Sequence, residues 1–430
     1  MRPHHWTQRE EFAHKLDPML RELLWRHEMP DARLPILLAR SQQAFRQYHS
    51  VSVLVEVKST HADASLERLC RKHRVRMGMH MHVADCRPAR VTPAQARELV
   101  QHPDVIRLHL DRPVYALLDI AVPSVGVPAA WEIGLDGRGI CAAVVDTGIY
   151  PHADLMSGTR DQSRITAFHD VINRRSTPYD DNGHGTHVAG IIAGNGYSSG
   201  GRYRGVAPET ELVGVKALDA NGSGSLSGLL AAFQWVIENR QRYGIRVLNL
   251  SLGAQALLPS SDDPLCRAAE RAWQAGIVVC AAAGNSGPEF GTVSTPGITP
   301  RVITVGAFDD HRTVNPADDT LAIFSSRGPT PEGLNKPDLL CPGKDIVSLR
   351  APRSLLSRAY PSRNDPYLTL SGTSMATPVC SGAAVLLLQQ NGSRTPDQVK
   401  RLLLSGSVSM GLTRNEQGAG AFRSKGLWNT

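Results

Sequence analysis

The first 117 residues fall into two regions with different patterns of apolar residues. Residues 12–26, FAHKLDPMLRELLWR, space their apolar side chains as a helix does, which predicts an amphipathic helix with Pro18 in its first turn. From Val51 onward VSVLVEV, MGMHMHVADC and DVIRLHL are typical of strands, whereas DASLERLCRKH and TPAQARELVQH are typical of helices. The pattern therefore predicts a helical extension over residues 1–45 and a small α+β unit over residues 46–117.

A larger unit is predicted over residues 118–430. It opens with a linker-like stretch, LLDIAVPSVGVPAAW, and from Gly139 onward apolar strand-like runs alternate with helical stretches. That alternation indicates a parallel sheet with crossover helices. The expected fold class is therefore α/β, with three layers (α/β/α) around a mainly parallel central sheet.

Three of the apolar runs end in polar residues. GICAAVV leads into Asp146, RVLNL into Ser251 and GIVVCAAAG into Asn285. Because reactive groups in open α/β sheets gather at the carboxyl ends of parallel strands, we expect these three side chains at one edge.

Two further polar residues stand where helices are predicted to begin. His184 precedes the small and apolar run THVAGIIAG, and Ser374 precedes the run that continues through AAVLLLQQ, with Pro378 placed in its first turn. The unpaired N–H groups and positive dipole end of the second helix would favour a negative oxygen near Ser374.

These residue types predict nucleophilic catalysis. His184 would take the proton of Ser374 as a general base, and Asp146 would orient the imidazole and stabilise its charged form. Asn285 and the Ser374 N–H would stabilise the oxyanion of the tetrahedral intermediate. The prediction is a serine endopeptidase working through an acyl-enzyme; a catalytically silent peptide-binding or regulatory protein is the alternative.

Composition narrows the class of protein. The net charge is +7, and +6 of it comes from the first 117 residues, where 19 Lys and Arg face 13 Asp and Glu, scattered and without a nucleic-acid motif. We therefore expect no nucleic-acid partner.

No apolar run reaches the roughly 20 residues that a spanning helix needs, so we expect no membrane partner. No secretory h-region opens the chain, and seven cysteines are widely spaced without a CxxC pair, which favours reduced thiols in the cytoplasm.

Simpler interpretations compete at several positions. His187 lies one turn after His184, but without an HExxH glutamate a packed histidine is favoured over a metal ligand. Cys380 is interpreted as a buried structural cysteine. An α/β-hydrolase would need a GxSxG elbow and the order Ser, acid, His, and neither is present. Four aspartates are interpreted as solvated loop residues: Asp309, Asp310, Asp318 and Asp319.

Together the motifs VVDTGI, NGHGTHVAG, AAAGNSG and SGTSMATP resemble the four signature blocks of the subtilisin-like serine proteases, over roughly residues 139–407. YDDNGHGTH, SSGGRYRGVAPE and FSSRGPT are most similar to the intracellular AprX-type branch of that family. The resemblance implies that extended polypeptide substrates pair with two cleft segments and that apolar side chains are preferred in the pockets. The implied substrate-binding residues are Gly222, Ser223, Gly224, Leu226, Leu229, Ser251, Leu252, Gly253 and the segment 281–284, including Ala282 and Gly284.

The resemblance also implies a role for the unit over residues 46–117, which is similar to the propeptides of this family. It would act as a folding aid and inhibitor, with cleavage between Tyr115 and Ile120, after Leu117. No cofactor is implied as required. HADL at 152–155 keeps an aspartate that often joins a calcium site, yet the loop after the His184 helix lacks the usual Asn-rich sequence. We therefore predict no tight calcium site there and assign no residue as a metal ligand.

Overall fold

The structure is a computed structural model that describes residues 10–16, 20–21, 50–58, 64–82, 84–111, 113–116, 123–158, 162–360, 366–424 and 426–429. The chain divides into two compact units, Met1–Arg112 and Pro113–Thr430. Most of the predicted N-terminal extension, and Leu117 to Ile120 with the predicted cleavage position, lie outside the described residues. Glu10–Lys15 forms a 3-10 helix, which overlaps the start of the helix predicted over residues 12–26.

In its described part, the first unit contains a three-stranded antiparallel sheet of order β2-β1-β3, with helices between its strands in the sequence. Its elements are β1 (Val51–Val57), α1 (Ala64–Lys72), β2 (Cys86–Val91), α2 (Pro93–Gln101) and β3 (Val105–Leu110). Thr92 caps α2 by accepting from the Gln95 N–H at 3.3 Å, while the Gln95 side chain accepts from the Thr92 N–H at 2.8 Å. This capping box fixes the helix start.

One strand of this unit was predicted in the wrong place. The prediction gave MGMHMHVADC a strand, but Met77 and Met81 make only isolated bridges, and the regular strand is β2. The chain reverses near Asp85, whose φ is 51°. Because CRPARV is polar and contains Pro88, it lacks the apolar signal of a strand, and an edge strand tolerates the proline.

The second unit is built on a ten-stranded, mainly parallel sheet in its described part, of order β17-β18-β14-β12-β11-β9-β5-β7-β6 with β13 paired to β12. It forms the predicted three-layer α/β/α fold. Its strands are β4 (Pro113–Ala116), β5 (Cys141–Asp146), β6 (Ile165–Asp170), β7 (Glu211–Lys216), β8 (Ser223–Ser225), β9 (Ile245–Leu250), β10 (Leu252–Gly253), β11 (Val278–Ala282), β12 (Ile303–Asp309), β13 (Thr320–Leu321), β14 (Leu339–Pro342), β15 (Ile346–Leu349), β16 (Tyr367–Leu370), β17 (Ser407–Val408) and β18 (Ala421–Phe422).

The helices of this unit follow the parallel strands. They are α3 (Pro128–Glu132), α4 (His184–Ala193), α5 (Leu226–Asn239), α6 (Pro264–Gln274), α7 (Leu355–Ala359), α8 (Thr373–Gln390), α9 (Pro396–Ser405) and α10 (Arg414–Gln417). Helices α4 and α8 pack against each other, and α8 also packs on β9, β11, β12 and β14. Since α8 is buried from Thr373 to Leu388, its small and apolar residues form the centre of the core.

Candidate active site

The strand ends meet as predicted. Strands β11, β9 and β5 are neighbours and parallel, so the residues that follow or end them lie at one edge of the sheet. Asp146 is the last residue of β5, Ser251 follows β9, and Asn285 comes three residues after β11.

Asp146 and His184 form a buried pair. His184 Nδ1 lies 2.6 Å from Asp146 Oδ1, and both side chains are fully buried. The Thr147 N–H also donates to Asp146 Oδ1, at 2.7 Å. Helix α4 comes this close because Gly185 has no side chain: a Cβ there would lie 2.1 Å from the Gly148 carbonyl oxygen. Because a carboxylate only accepts, Nδ1 carries the proton in this contact, and Nε2 is the ring nitrogen that can accept one.

Asp180 fixes the loop that delivers His184. Its buried carboxylate accepts from the N–H groups of Gly183 at 2.7 Å and Thr186 at 2.9 Å, and from the Thr186 hydroxyl at 2.6 Å. The Thr147 hydroxyl donates to it as well, at 2.9 Å. Burial raises the pKa of Asp180, while the hydrogen bonds counteract the shift. The carboxylate thus ties the start of α4 to the residue after Asp146.

Ser251 forms two hydrogen bonds with Ser374. The Ser374 hydroxyl donates to the Ser251 carbonyl at 3.1 Å, and the Ser251 hydroxyl donates to the Ser374 carbonyl at 2.5 Å. The second bond replaces one that α8 cannot make, because Pro378, four residues later, has no N–H. Pro378 is the sixth residue of α8, so its predicted place in the first turn was wrong.

Thr373, which directly precedes Ser374, orients Asn285. Its Oδ1 accepts from the Thr373 N–H at 2.8 Å and from the Thr373 hydroxyl at 3.0 Å. The same hydroxyl accepts from the Gly284 N–H at 3.1 Å. Because the amide oxygen is fixed on Thr373, the NH₂ group of Asn285 is left to donate elsewhere. Thr373 and Asp180 were not predicted as site residues from the sequence, although Thr373 lies in the motif SGTSMATP and Asp180 in YDDNGHGTH.

The predicted cleft segments flank a strand of the chain itself. Strand β4 lies between β8 and β10 and is antiparallel to both. Tyr115 is opposite Ser223 on one side and Gly253 on the other, and Ala116 is opposite Leu252. An extended peptide segment therefore fits between these two edges by backbone pairing.

The other predicted cleft residues lie around this sheet. Gly222, with a φ of 74°, precedes β8, and Leu226 and Leu229 are buried in the first turns of α5. Ala282 ends β11, and Gly284 follows with a φ of 113°. Their assignment to substrate pockets stays a prediction.

The structure gives the competing residues ordinary partners. Buried His187 lies 3.0 Å, through Nε2, from the Leu368 carbonyl, and Cys380 Sγ lies 3.9 Å from Cys280 Sγ in the core. Asp309, Asp310, Asp318 and Asp319 contact, in order, Lys344, the Arg312 N–H, the Thr313 hydroxyl and Arg423. Asp309 is the last residue of β12, and both Asp309 and Asp310 are buried, so their interpretation as solvated loop residues was wrong. Among the described residues, no group of three or more His, Cys, Asp or Glu is placed to hold a metal ion.

No helix in the described ranges combines the length and the apolar character needed to cross a membrane. All seven cysteines are buried and free: Cys70, Cys86, Cys141, Cys266, Cys280, Cys341 and Cys380.

Comparison with known proteins assigns the chain to a family. Residues 137–420 match the Subtilase family, Peptidase_S8. The chain is 44% identical over 410 residues to serine protease AprX of Bacillus subtilis, covering 92% of this chain and 91% of that protein. It is 38% identical over 299 residues to subtilisin Savinase of Lederbergia lenta, covering 70% and 94%. The chain belongs to the subtilase family and is a subtilisin-like serine endopeptidase.

Proposed function

We propose that this enzyme cleaves extended polypeptides through an Asp146–His184–Ser374 triad and an acyl-enzyme intermediate. The observation that carries the proposal is the buried 2.6 Å contact between Asp146 and His184, at the sheet edge where Ser374 is held by Ser251. Intact, hydrogen-bonded groups of this kind favour turnover over the alternative of a silent peptide-binding protein.

The proposed reaction has two displacements. Ser374 Oγ attacks the carbonyl carbon, its proton passes to His184 Nε2, and the carbonyl electron pair moves to the oxygen. The intermediate collapses, the C–N bond breaks, and the leaving nitrogen takes the proton from His184. Water then attacks the ester in the same way, with His184 as base, which releases the acid and restores the Ser374 hydroxyl.

The oxyanion would be stabilised by Asn285 Nδ2 and the Ser374 N–H. Thr373 supports this role because it takes up the amide oxygen of Asn285, and both groups lie at the N-terminal end of α8. A helix N-terminus favours negative charge.

Substrates would bind as β4 does, with their backbone between β8 and β10. Pairing through the backbone is compatible with many sequences, so we propose broad specificity. The buried leucines Leu226, Leu229 and Leu252 beside these strands support a preference for apolar side chains.

The register of β4 supports a cut after Leu117. Since Tyr115 is opposite Gly253 and Ala116 opposite Leu252, a strand continued in this register brings its next residue opposite Ser251, where the Ser374 hydroxyl is bound. We propose that the unit over residues 46–117 supplies this strand, acts as folding aid and inhibitor, and is released by the cut. The seven free thiols support a cytoplasmic location.

The test compares wild type with Ser374→Ala and with Ser371→Ala, an exposed serine three residues earlier. Ser374→Ala should lower peptide hydrolysis by several orders of magnitude and stay full length, because it lacks the nucleophile. Wild type and Ser371→Ala should hydrolyse peptides and give a fragment that begins at Leu118 by N-terminal mass spectrometry. Substantial turnover by Ser374→Ala would refute the triad; an uncut, active wild type would refute only the processing.

A further inference from the structure

Arg164 fills a cage of backbone carbonyls in the second unit. It lies just before β6 with 6% of its surface exposed. Its Nη2 donates to the carbonyls of Asp154 at 2.7 Å and Ala193 at 2.6 Å, its Nη1 to that of Thr210 at 2.8 Å, and its Nε to that of Met156 at 3.1 Å. One guanidinium thus binds four carbonyl oxygens from three segments of the chain.

The carboxylate of Asp154 lies beside this cage, and each of its oxygens accepts a hydrogen bond. Its Oδ1 accepts from the Ser198 N–H at 2.9 Å, and its Oδ2 accepts from the Tyr367 hydroxyl at 2.6 Å. Burial would raise the pKa of Asp154, but hydrogen bonds involving His152, Ser198 and Tyr367 outweigh it and lower the pKa to about 2. The side chain is therefore ionised at neutral pH.

The cluster joins the elements that carry the catalytic groups. Ala193 ends α4, the helix that begins with His184, and Ser198 belongs to the loop that follows it. Tyr367 begins β16, which leads to Ser374 seven residues later. Holding these segments together therefore stabilises both helices of the active site.

Calcium does not fit this cluster. Four carbonyl oxygens and a carboxylate make up a donor set that calcium favours, and subtilases commonly bind structural calcium. Here, however, each of these oxygens accepts from a protein N–H or O–H, and a positively charged guanidinium occupies the centre. A calcium ion would have to displace Arg164 and expose a buried charge.

We infer that Arg164 and Tyr367 replace a structural metal ion, with the guanidinium as a covalently attached cation and the phenol as a neutral donor to Asp154. A guanidinium supplies five N–H donors in a fixed plane, so it can bind several oxygens that a lysine could not. An attached cation also never dissociates, so the stability of this region does not depend on the calcium concentration.

The test uses thermal unfolding of the full-length chain carrying Ser374→Ala, which prevents autolysis. In this background the melting temperature should change by less than about 2 °C between excess chelator and millimolar calcium, because no dissociable ion is involved. A larger fall in chelator would overturn the inference.

Arg164→Ala should lower the melting temperature by roughly 5 °C or more, since it removes a buried charge and leaves the carbonyls of Ala193 and Thr210 without this donor. The carbonyls of Asp154 and Met156 still accept from Asn195. The melting temperature of Arg164→Lys should lie between those of the parent and Arg164→Ala, because an ammonium group keeps the charge but not the planar arrangement of N–H donors. The matched control is Arg246→Ala. The Arg246 guanidinium also donates to backbone carbonyls, those of Gly392 and Arg394, but it is more exposed than that of Arg164. A loss no larger than that of Arg246→Ala would overturn the inference.

If Arg164→Ala does not fold, Tyr367→Phe still decides. It keeps the ring and removes only the donor to Asp154, so the melting temperature should fall by about 2–4 °C. Tyr203→Phe is the control, because its ring packs 4.8 Å from that of Tyr367 and no described hydrogen bond involves its hydroxyl. Equal melting of the two variants would contradict the role of Tyr367.

Discussion

Acid should destabilise this enzyme through a histidine that takes no part in catalysis. His187 lies one turn after His184 on α4 and is fully buried, with Nε2 3.0 Å from the Leu368 carbonyl. Burial lowers the pKa of His187, the Leu368 bond partly counteracts this, and nearby His184 lowers it further, to about 3. The native state therefore keeps this imidazole neutral.

The sign of the effect follows from the two states. In the unfolded chain a histidine has a pKa of about 6.5. Below that pH the unfolded state takes up a proton that the native state refuses, so stability present above pH 6.5 is lost as the pH falls, until the native pKa near 3 is reached. The loss is about 1.4 kcal/mol per pH unit, or about 2 kcal/mol between pH 7 and pH 5.

Urea unfolding of the Ser374→Ala protein at several pH values measures this loss. His187→Gln keeps an N–H donor for the Leu368 carbonyl but cannot titrate, so its free energy of unfolding should fall by about 2 kcal/mol less between pH 7 and pH 5 than that of the parent. The comparison concerns the pH dependence, not the absolute stability. His311→Gln, the same substitution at an exposed position, is the matched control.

The same pH dependence in His187→Gln and the parent would refute this reasoning. It would mean that the native state accommodates the protonated imidazole and that other groups cause any acid lability.

Two further predictions concern the oxyanion hole. Asn285→Ala should lower kcat roughly 100- to 1,000-fold with little change in KM, a range carried over from subtilisin itself rather than calculated for this chain; an effect on KM alone would assign Asn285 to substrate binding. Thr373→Val removes the hydroxyl that orients Asn285, so it should lower kcat about 10-fold at unchanged KM, while Thr373→Ser restores it; a variant with normal kcat would contradict this positioning role.

The main parts of the fold and site could be predicted because their signals are local. Apolar runs of strand length ending in a polar residue locate Asp146, Ser251 and Asn285, and parallel pairing then places them at one edge. Helices that begin at His184 and Thr373 follow from long runs of small and apolar residues. The β2 strand was missed because its sequence, with Pro88 inside, has no strand-like alternation.

What could not be predicted depends on contacts between distant segments. Arg164 donates to the carbonyl of Thr210, and the Ser251 hydroxyl donates to that of Ser374, but nothing near these residues in the sequence indicates the partner. The bond from Ser251 also shows why Pro378 is tolerated beyond the first turn of α8. The partners of such polar side chains are set by the packed fold, not by periodicity.

Covalent labelling of the nucleophile tests the central claim most directly. A sulfonyl fluoride reacts with a serine that a neighbouring histidine activates. After treatment of wild type and digestion, mass spectrometry should find one adduct, on the peptide containing Ser374, in parallel with the loss of peptidase activity. His184→Ala should remain unlabelled, because Ser374 then lacks its base. Full activity with Ser374 unmodified, or inactivation with the adduct on another residue, would contradict the account.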